Sequence, residues 1–177
     1  MLSPMDAGPG ARDTVAMHPT CTARANLPCR AEAAFDLSAD PARFPTLFRG
    51  YGLIPSIRSI TLLSPLAVGC TRRVANSDGS VLTECVTALD RPGLHAYTLS
   101  GFRPPFSWLV RLGEARWAFT DDARGCAVEW RYTFTPRVPL SRPVVALLLR
   151  CCMQPAMQRC LQAMGEAASR PADTVAS

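Results

Sequence analysis

The sequence predicts an α+β fold in which a curved antiparallel sheet wraps around one long C-terminal helix and encloses a cavity. Three observations carry that expectation. Apolar and polar residues alternate with period two through 52–136, in runs cut by turn residues. An apolar stripe with helical spacing runs through 141–168, and a short strand with two small helical segments precedes both patterns. A chain of 177 residues fits one domain, and a domain of about 150 residues buries roughly 68–70% of its unfolded surface, enough for a core with a pocket in it. Sixteen prolines and 11 glycines favour many turns over a helical bundle.

In chain order, residues 1–20 hold Pro, Gly, Asp, Ala and Met without periodicity and read as a disordered leader, with Met1, Met5 and Met17 as alternative starts. Residues 22–28 alternate weakly and form the first strand. A helix over 30–37 follows, with Ala33, Ala34 and Leu37 on one side. Asp40 is the expected N-cap of a second short helix reaching Phe48, with Pro41 in its first position and Pro45 ending or kinking it. Six strands are expected at 54–63, 70–75, 81–89, 94–101, 113–120 and 126–135, separated by Ser64-Pro65, Asp78-Gly79, Arg91-Pro92-Gly93, Pro104-Pro105 and Arg124-Gly125. The last strand is the clearest, because Cys126, Val128, Trp130, Tyr132 and Phe134 share one face and Glu129, Arg131 and Thr133 the other.

The C-terminal helix is expected to start at Ser141 as N-cap, with Pro143 in its first turn. Val145, Leu149, Cys152, Ala156, Cys160, Met164 and Ala167 form one stripe, and Gln154, Gln158, Gln162 and Glu166 lie opposite. Pro155 removes a backbone donor and should kink this helix. Its apolar run, 144–149, is far shorter than the roughly 20 residues a bilayer crossing needs. The folded unit is expected to span 21–168, with a disordered tail at 169–177.

Composition excludes several chemistries. All 19 basic residues are arginine, which removes Schiff-base catalysis, a pyridoxal phosphate anchor and a P-loop lysine. With only two histidines, His18 and His95, neither a Ser-His-Asp triad nor a multi-histidine metal site is expected, and no metal or cofactor is. The net charge of +5 comes from arginines scattered along the chain, which suits a solvated surface better than a track for nucleic acid. Arginine without lysine, alongside much alanine and proline, suggests a GC-rich bacterial genome. The eight cysteines show no Cys-x-x-Cys spacing, and residues 1–20 lack a basic start followed by an apolar run, so they read as small buried hydrophobes in a reducing cytoplasm.

A family resemblance rests on motifs in order along the chain. These are the opening Leu27-Pro28-Cys29-Arg30-Ala31-Glu32-Ala33-Ala34-Phe35 with Asp40-Pro41-Ala42-Arg43-Phe44-Pro45; Gly69 with Arg72; Asp90-Arg91-Pro92-Gly93-Leu94 with Tyr97; Gly125 through Trp130 to Phe134; and the long final helix. Together they resemble the START-like superfamily, also called SRPBCC, and within it the polyketide cyclase/dehydrase branch. The resemblance covers about 150 residues. It implies a helix-grip fold, with about seven antiparallel strands wrapped on the C-terminal helix and two short helices after the first strand. It implies a cavity but no fixed catalytic set, since the superfamily includes cyclases, dehydratases, lipid carriers and hormone receptors.

Candidate site residues follow from strand faces. Tyr97 and His95 are catalytic candidates, because a phenol and an imidazole could polarise a carbonyl or move a proton near neutral pH; a surface histidine beside a core tyrosine is the plainer reading. Arg72, Glu84 and Arg116 would orient an oxygenated ligand if they point inward, and form ordinary cross-strand pairs if outward. Trp117, Phe119, Trp130 and Tyr132 suit either a small-molecule lining or core packing, and Leu149 and Met153 would face the cavity from the helix. Residues 101–112, with Phe102, Arg103, Phe106 and Trp108, read as a loop over the cavity mouth or as a hydrophobic patch for homodimerisation.

Three functions fit these observations. One is binding of a hydrophobic or aromatic small molecule, lipid- or polyketide-like. A second is a cyclase or dehydratase that acts mainly by positioning its substrate. The third is a module presenting the aromatic loop and the helix's apolar run to a membrane or partner, without stable insertion.

Overall fold

The computed structural model describes residues 18–169. Most of the expected leader and tail, and the alternative starts at Met1, Met5 and Met17, lie outside the described residues. Strand β1 (Thr20–Leu27) already begins at Thr20, and the last helix runs to Ser169.

Seven antiparallel strands make one sheet in the order β1-β7-β6-β5-β4-β3-β2. The others are β2 (Ile57–Leu62), β3 (Thr71–Asn76), β4 (Val81–Asp90), β5 (Leu94–Ser100), β6 (Val110–Asp122) and β7 (Gly125–Pro136). β2 to β7 form a meander of sequential neighbours, and β1 returns along β7 from Thr20↔Thr133 to Leu27↔Cys126. Hairpin turns set the order of the meander; β1 finds its place because its inward residues Cys21, Ala23 and Leu27 are buried against the helix.

Two strand boundaries differ from the expectation. β2 starts at Ile57 rather than 54, because Gly50 and Gly52 at positive φ turn the chain so that Tyr51 and Ile54 bond each other, and Pro55 has no donor for a ladder. A Cβ on Gly50 would collide with the Ile54 carbonyl. β6 starts at Val110 rather than 113, since Val110 is buried and pairs with Pro136 across a bulge that ends at Leu112. The segment before it contains a short helix, α3 (Phe106–Leu109).

Helix α1 (Ala31–Ala39) buries Ala31, Ala34, Phe35 and Ser38, whereas Ala33, expected on that face, is exposed. Its first amide is capped from the β6–β7 hairpin, where Asp121 Oδ1 accepts from Ala31 N at 2.7 Å. Asp40 Oδ1 accepts from Ala42 N and Arg43 N at 2.7 and 3.2 Å, so it does cap the turn that leads into α2 (Phe44–Leu47). Pro45 does not end that helix: it sits in its first turn, where the missing N–H is not needed.

The C-terminal helical run opens with a 3₁₀ turn, Pro139–Ser141, continues as α4 (Arg142–Leu148) and a π turn (Leu149–Met153), and ends as α5 (Gln154–Ser169). Ser141 does not cap it with its side chain; the hydroxyl donates instead to the Val138 and Leu109 carbonyls at 2.8 and 3.1 Å. The expected kink takes the form of the π turn, in which Gln154 N–H reaches back five residues to Leu149 O immediately before Pro155, which has no N–H to give. Val145, Leu149, Ala156, Cys160 and Met164 of the expected stripe are buried, with Met153, Met157 and Leu161 beside them. Burying each such Met or Leu side chain contributes about 1.5–3 kcal/mol. The polar face has its own task, since Gln154 and Gln158 donate to the Thr22 and Arg24 carbonyls on the free edge of β1 at 3.1 and 3.2 Å. All eight cysteines are free; Cys21, Cys70, Cys126 and Cys160 are buried, Cys29, Cys85 and Cys152 half-buried, and Cys151 exposed.

Candidate functional site

The concave face of the sheet and the helices above it enclose a cavity of about 320 Å³. That size lies at the lower end of the range of small-molecule sites. From the sheet come Val74, Asn76, Leu82, Glu84, Tyr97, Leu99, Trp130, Tyr132 and Phe134; from the helices, Phe44, Phe48, Leu148 and Met153. The mouth is framed by Leu53, Ile54 and Pro55 on one side and by Phe102, Arg103, Pro104, Pro105 and Phe106 on the other, with Asp78 and Ser80 of the β3–β4 hairpin at the rim.

Most of this lining is apolar. The polar exception begins with Glu84, which is 3% exposed. Arg72, directly opposite it on β3, is 2% exposed and donates to Glu84 Oε1 through both Nε and Nη2. Its Nη1 donates to the Ala39 carbonyl at the end of α1 at 3.1 Å, so the guanidinium ties helix to sheet. Glu84 Oε2 takes no hydrogen bond from the described residues. Tyr97 and Tyr132 bring phenol groups to the same cavity wall.

His95 is fully buried behind this wall, not on the surface, and does not line the cavity. Arg72 Nη2 lies 3.4 Å from its Nε2, so that nitrogen is the acceptor. Nδ1 then carries the proton and faces Ser38 Oγ at 3.4 Å, while Ser38 donates to the Phe35 carbonyl at 2.7 Å. Burial, then the Arg72 charge, lowers the imidazole to about 3. His95 is therefore neutral at physiological pH and does not exchange protons there, which corrects its reading as a neutral-pH proton carrier. Burial drives the Glu84 carboxyl upward against the downward pull of Arg72. Burial also raises Tyr97, with the Glu84 charge adding to it, and raises Tyr132 well above its ordinary value. Both phenols are thereby held protonated, the form in which a hydroxyl can donate a hydrogen bond. The wall thus offers two donors and one free carboxylate oxygen at the edge of an apolar volume, an arrangement that can orient a carbonyl or hydroxyl.

Of the residues singled out in the sequence, Glu84, Tyr97, Phe102, Arg103, Phe106, Trp130, Tyr132 and Met153 line the cavity. The others are elsewhere. Arg72 supports Glu84 from behind. Arg116 is exposed on the outer face of β6, because it alternates with the inward Ala115 and Trp117. Trp117 is fully buried and stacks on Trp130 at 3.9 Å between ring centroids, forming a second layer behind the wall. Phe119 belongs to the same core, packed against Trp117 and Phe35. Leu149 is buried in the core while its neighbour Leu148 faces the cavity. Trp108 is 68% exposed and points away from the cavity. Leu82, Leu99 and Asn76 were not singled out, although period-two alternation from Glu84, Tyr97 and Arg72 places each on the inward face. Phe44 and Phe48, four apart across α2 and stacked at 6.1 Å, were also missed.

Residues 18–169 match the family described as polyketide cyclase / dehydrase and lipid transport. No curated protein sequence matches the chain. Among solved structures, it is similar to the di-domain ARO/CYC BexL from the BE-7585A biosynthetic pathway, with 16% identity and a TM-score of 0.65 over 86% of this chain and 50% of that one. It is similar to Ara h 8.0201 at 16% identity and TM-score 0.60, covering 84% of this chain and 96% of that one. Ginseng major latex-like protein 151 from Panax ginseng aligns at 10% identity and TM-score 0.63, over 85% of this chain and 97% of that one. These likenesses bear on the fold, and the helix-grip expectation holds. The family match supports a ligand-binding or cyclase role. The chain belongs to the polyketide cyclase/dehydrase and lipid transport family.

Proposed function

We propose that this protein binds a hydrophobic or aromatic small molecule, lipid- or polyketide-like, in the cavity between sheet and C-terminal helix, in the reducing cytoplasm of a bacterium. The observation that carries this reading is an apolar cavity of about 320 Å³ with one polar wall, made by Glu84, Tyr97 and Tyr132. An apolar body would fill the volume bounded by Leu82, Leu99, Phe44, Phe48 and Phe134. An oxygenated end would receive hydrogen bonds from the phenols or give one to Glu84 Oε2. Such a site needs no catalytic set.

A second reading is a cyclase or dehydratase. The observation favouring it is that Glu84 and Tyr97 lie on adjacent strands of the same wall, two titratable groups facing one ligand volume. Here Tyr97 would polarise a carbonyl and the cavity would fold the chain, so rate enhancement would come mainly from positioning.

The test is a titration with 1-anilinonaphthalene-8-sulfonate, comparing the parent with Leu99→Trp, which fills the cavity from β5 without touching the outer surface. Saturable fluorescence in the parent, lost in Leu99→Trp while the fold is retained, supports binding in this cavity. Equal fluorescence in both proteins would place the dye elsewhere and remove the support.

A further inference from the structure

A second polar group faces the cavity nearer its mouth than the wall of Glu84, Tyr97 and Tyr132. Asn76 and Ser80, on either side of the β3–β4 turn, line the cavity and are only 6% and 7% exposed. Ser80 Oγ and Ser80 N both donate to Asp78 Oδ1, at 2.7 and 2.9 Å. The Ser80 hydroxyl in turn holds the Asp78 carboxyl below the usual carboxylate range, so Asp78 is the acceptor. With its one hydrogen committed there, Ser80 Oγ accepts from Asn76 Nδ2 at 2.9 Å. That order fixes which way the Asn76 amide is turned. Its Oδ1 takes no hydrogen bond from the described residues, and one Nδ2 hydrogen is left over. The turn does not need them, because Asn76 N donates to Ser80 O at 2.9 Å and Gly79 N to Asn76 O at 3.1 Å.

Asn76 therefore presents an open acceptor and an open donor to the same volume as Glu84 Oε2. Arg72 pairs with Glu84 across the strands, and Asn76 follows Arg72 by four residues, about 13 Å at the rise of a strand. Val74 and Leu82 line the wall between these two polar ends. An apolar ligand end would leave the buried amide unpaired, which costs free energy; a hydroxyl can pair with it in both directions. With about 3 Å for a hydrogen bond at each end, the ligand's two oxygens would lie roughly 7–10 Å apart. From this geometry we infer that Asn76, positioned by Ser80, is a second ligand subsite, so that the cavity prefers a rigid apolar molecule with an oxygen function at each end over one with a single polar end. This preference rests on the binding function proposed for the same cavity.

The experiment is calorimetric titration of the full chain with 4,4′-dihydroxybiphenyl and with 4-hydroxy-4′-methylbiphenyl, two probes of one shape that differ in the second oxygen. The diol should bind the parent about fivefold or more tighter, and Asn76→Leu should bring that preference below about fivefold with a thermal midpoint near the parent's. Leu99→Trp should bind neither probe. A preference below about fivefold in the parent, with both probes lost in Leu99→Trp, would overturn the second subsite and leave the cavity as the binding site. So would a preference that survives Asn76→Leu undiminished. The comparison in the parent needs no variant, so it decides the matter even if Asn76→Leu does not fold. If neither probe binds the parent, or Leu99→Trp binds both as the parent does, the binding function fails and the second subsite with it.

Discussion

Replacing Arg72 with methionine keeps the volume of the side chain but takes away a charge that three groups rely on. Glu84 Oε1 loses both of its donors, the Ala39 carbonyl loses its only side-chain donor, and His95 Nε2 loses its donor. Glu84 is 3% exposed, so its carboxylate is left largely desolvated and without a charged partner. Removing one member of a buried ion pair costs about 3–5 kcal/mol. Replacing both, as Arg72→Met with Glu84→Leu, leaves chiefly the Ala39 carbonyl unpaired, about 1–3 kcal/mol. The double variant should therefore be more stable than the single one. Burial already drives the Glu84 carboxyl upward with Arg72 in place. Without Arg72 it should rise further, and a folded-state pKa above the unfolded one adds stability as pH falls through it. The penalty in Arg72→Met should then shrink on acidification from about pH 7 to pH 5. Urea unfolding followed by tryptophan fluorescence measures the parent, Arg72→Met, Glu84→Leu and the double variant. A loss below about 1 kcal/mol in the single variant, or a double variant whose loss equals the sum of the two singles, would refute the reasoning.

His95 gives a second pH signature. Its folded value of about 3 lies below the ordinary 6.5, so its contribution is present above pH 6.5 and is lost as pH falls toward 3, by at most about 1.4 kcal/mol per pH unit. His95→Gln should flatten the stability curve by that slope in that window; an unchanged slope would mean that the imidazole is not buried neutral. Tyr97→Phe removes one donor from the cavity wall and should weaken an oxygenated ligand by about 0.5–1.5 kcal/mol, read as Kd by calorimetry, with little change for a pure hydrocarbon. Equal weakening of both ligands would point to repacking instead. Cys151 is exposed, while burial raises Cys21 to about 12 and Cys160 further. Iodoacetamide at neutral pH should label Cys151 first and the other two only on unfolding, which peptide mass spectrometry would show.

Much of the fold was legible because its two periods are strong. The alternation of Cys126 to Phe134 located the inward face of β7, and the stripe from Val145 to Met164 located the buried face of the final helix. What the pattern could not carry was decided by contacts distant in sequence. The cap of α1 comes from Asp121, 90 residues away, and the early start of β6 depends on a bulge opposite Pro136. Pro45 was misread because proline ends a helix or opens one, depending on where the preceding turn closes. In the site, strand alternation made Glu84, Tyr97, Trp130 and Tyr132 candidates, but it left open whether Glu84 points inward and whether the aromatic rings line the cavity or pack the core. Arg116 was misassigned although the inward Trp117 is its neighbour, so alternation should have placed it outside. Trp117 sits on the inward face yet one layer deep, because the Trp130 ring covers it, and side-chain layering of that kind has no signature in a period. The misassignment of Trp108 and Leu149 has the same origin: α3 and the π turn rotate which side chain meets the cavity, so that Leu148 lines it in place of Leu149 and, within α3, Phe106 lines it and Trp108 does not.

The claim that the cavity holds a hydrophobic ligand is tested most directly by native mass spectrometry of the protein purified from its own cells, followed by denaturing extraction. The account predicts an apolar, oxygen-bearing small molecule retained at one per chain and absent from the Leu99→Trp variant. A chain that is empty under gentle conditions, or a molecule retained equally by Leu99→Trp, would contradict it.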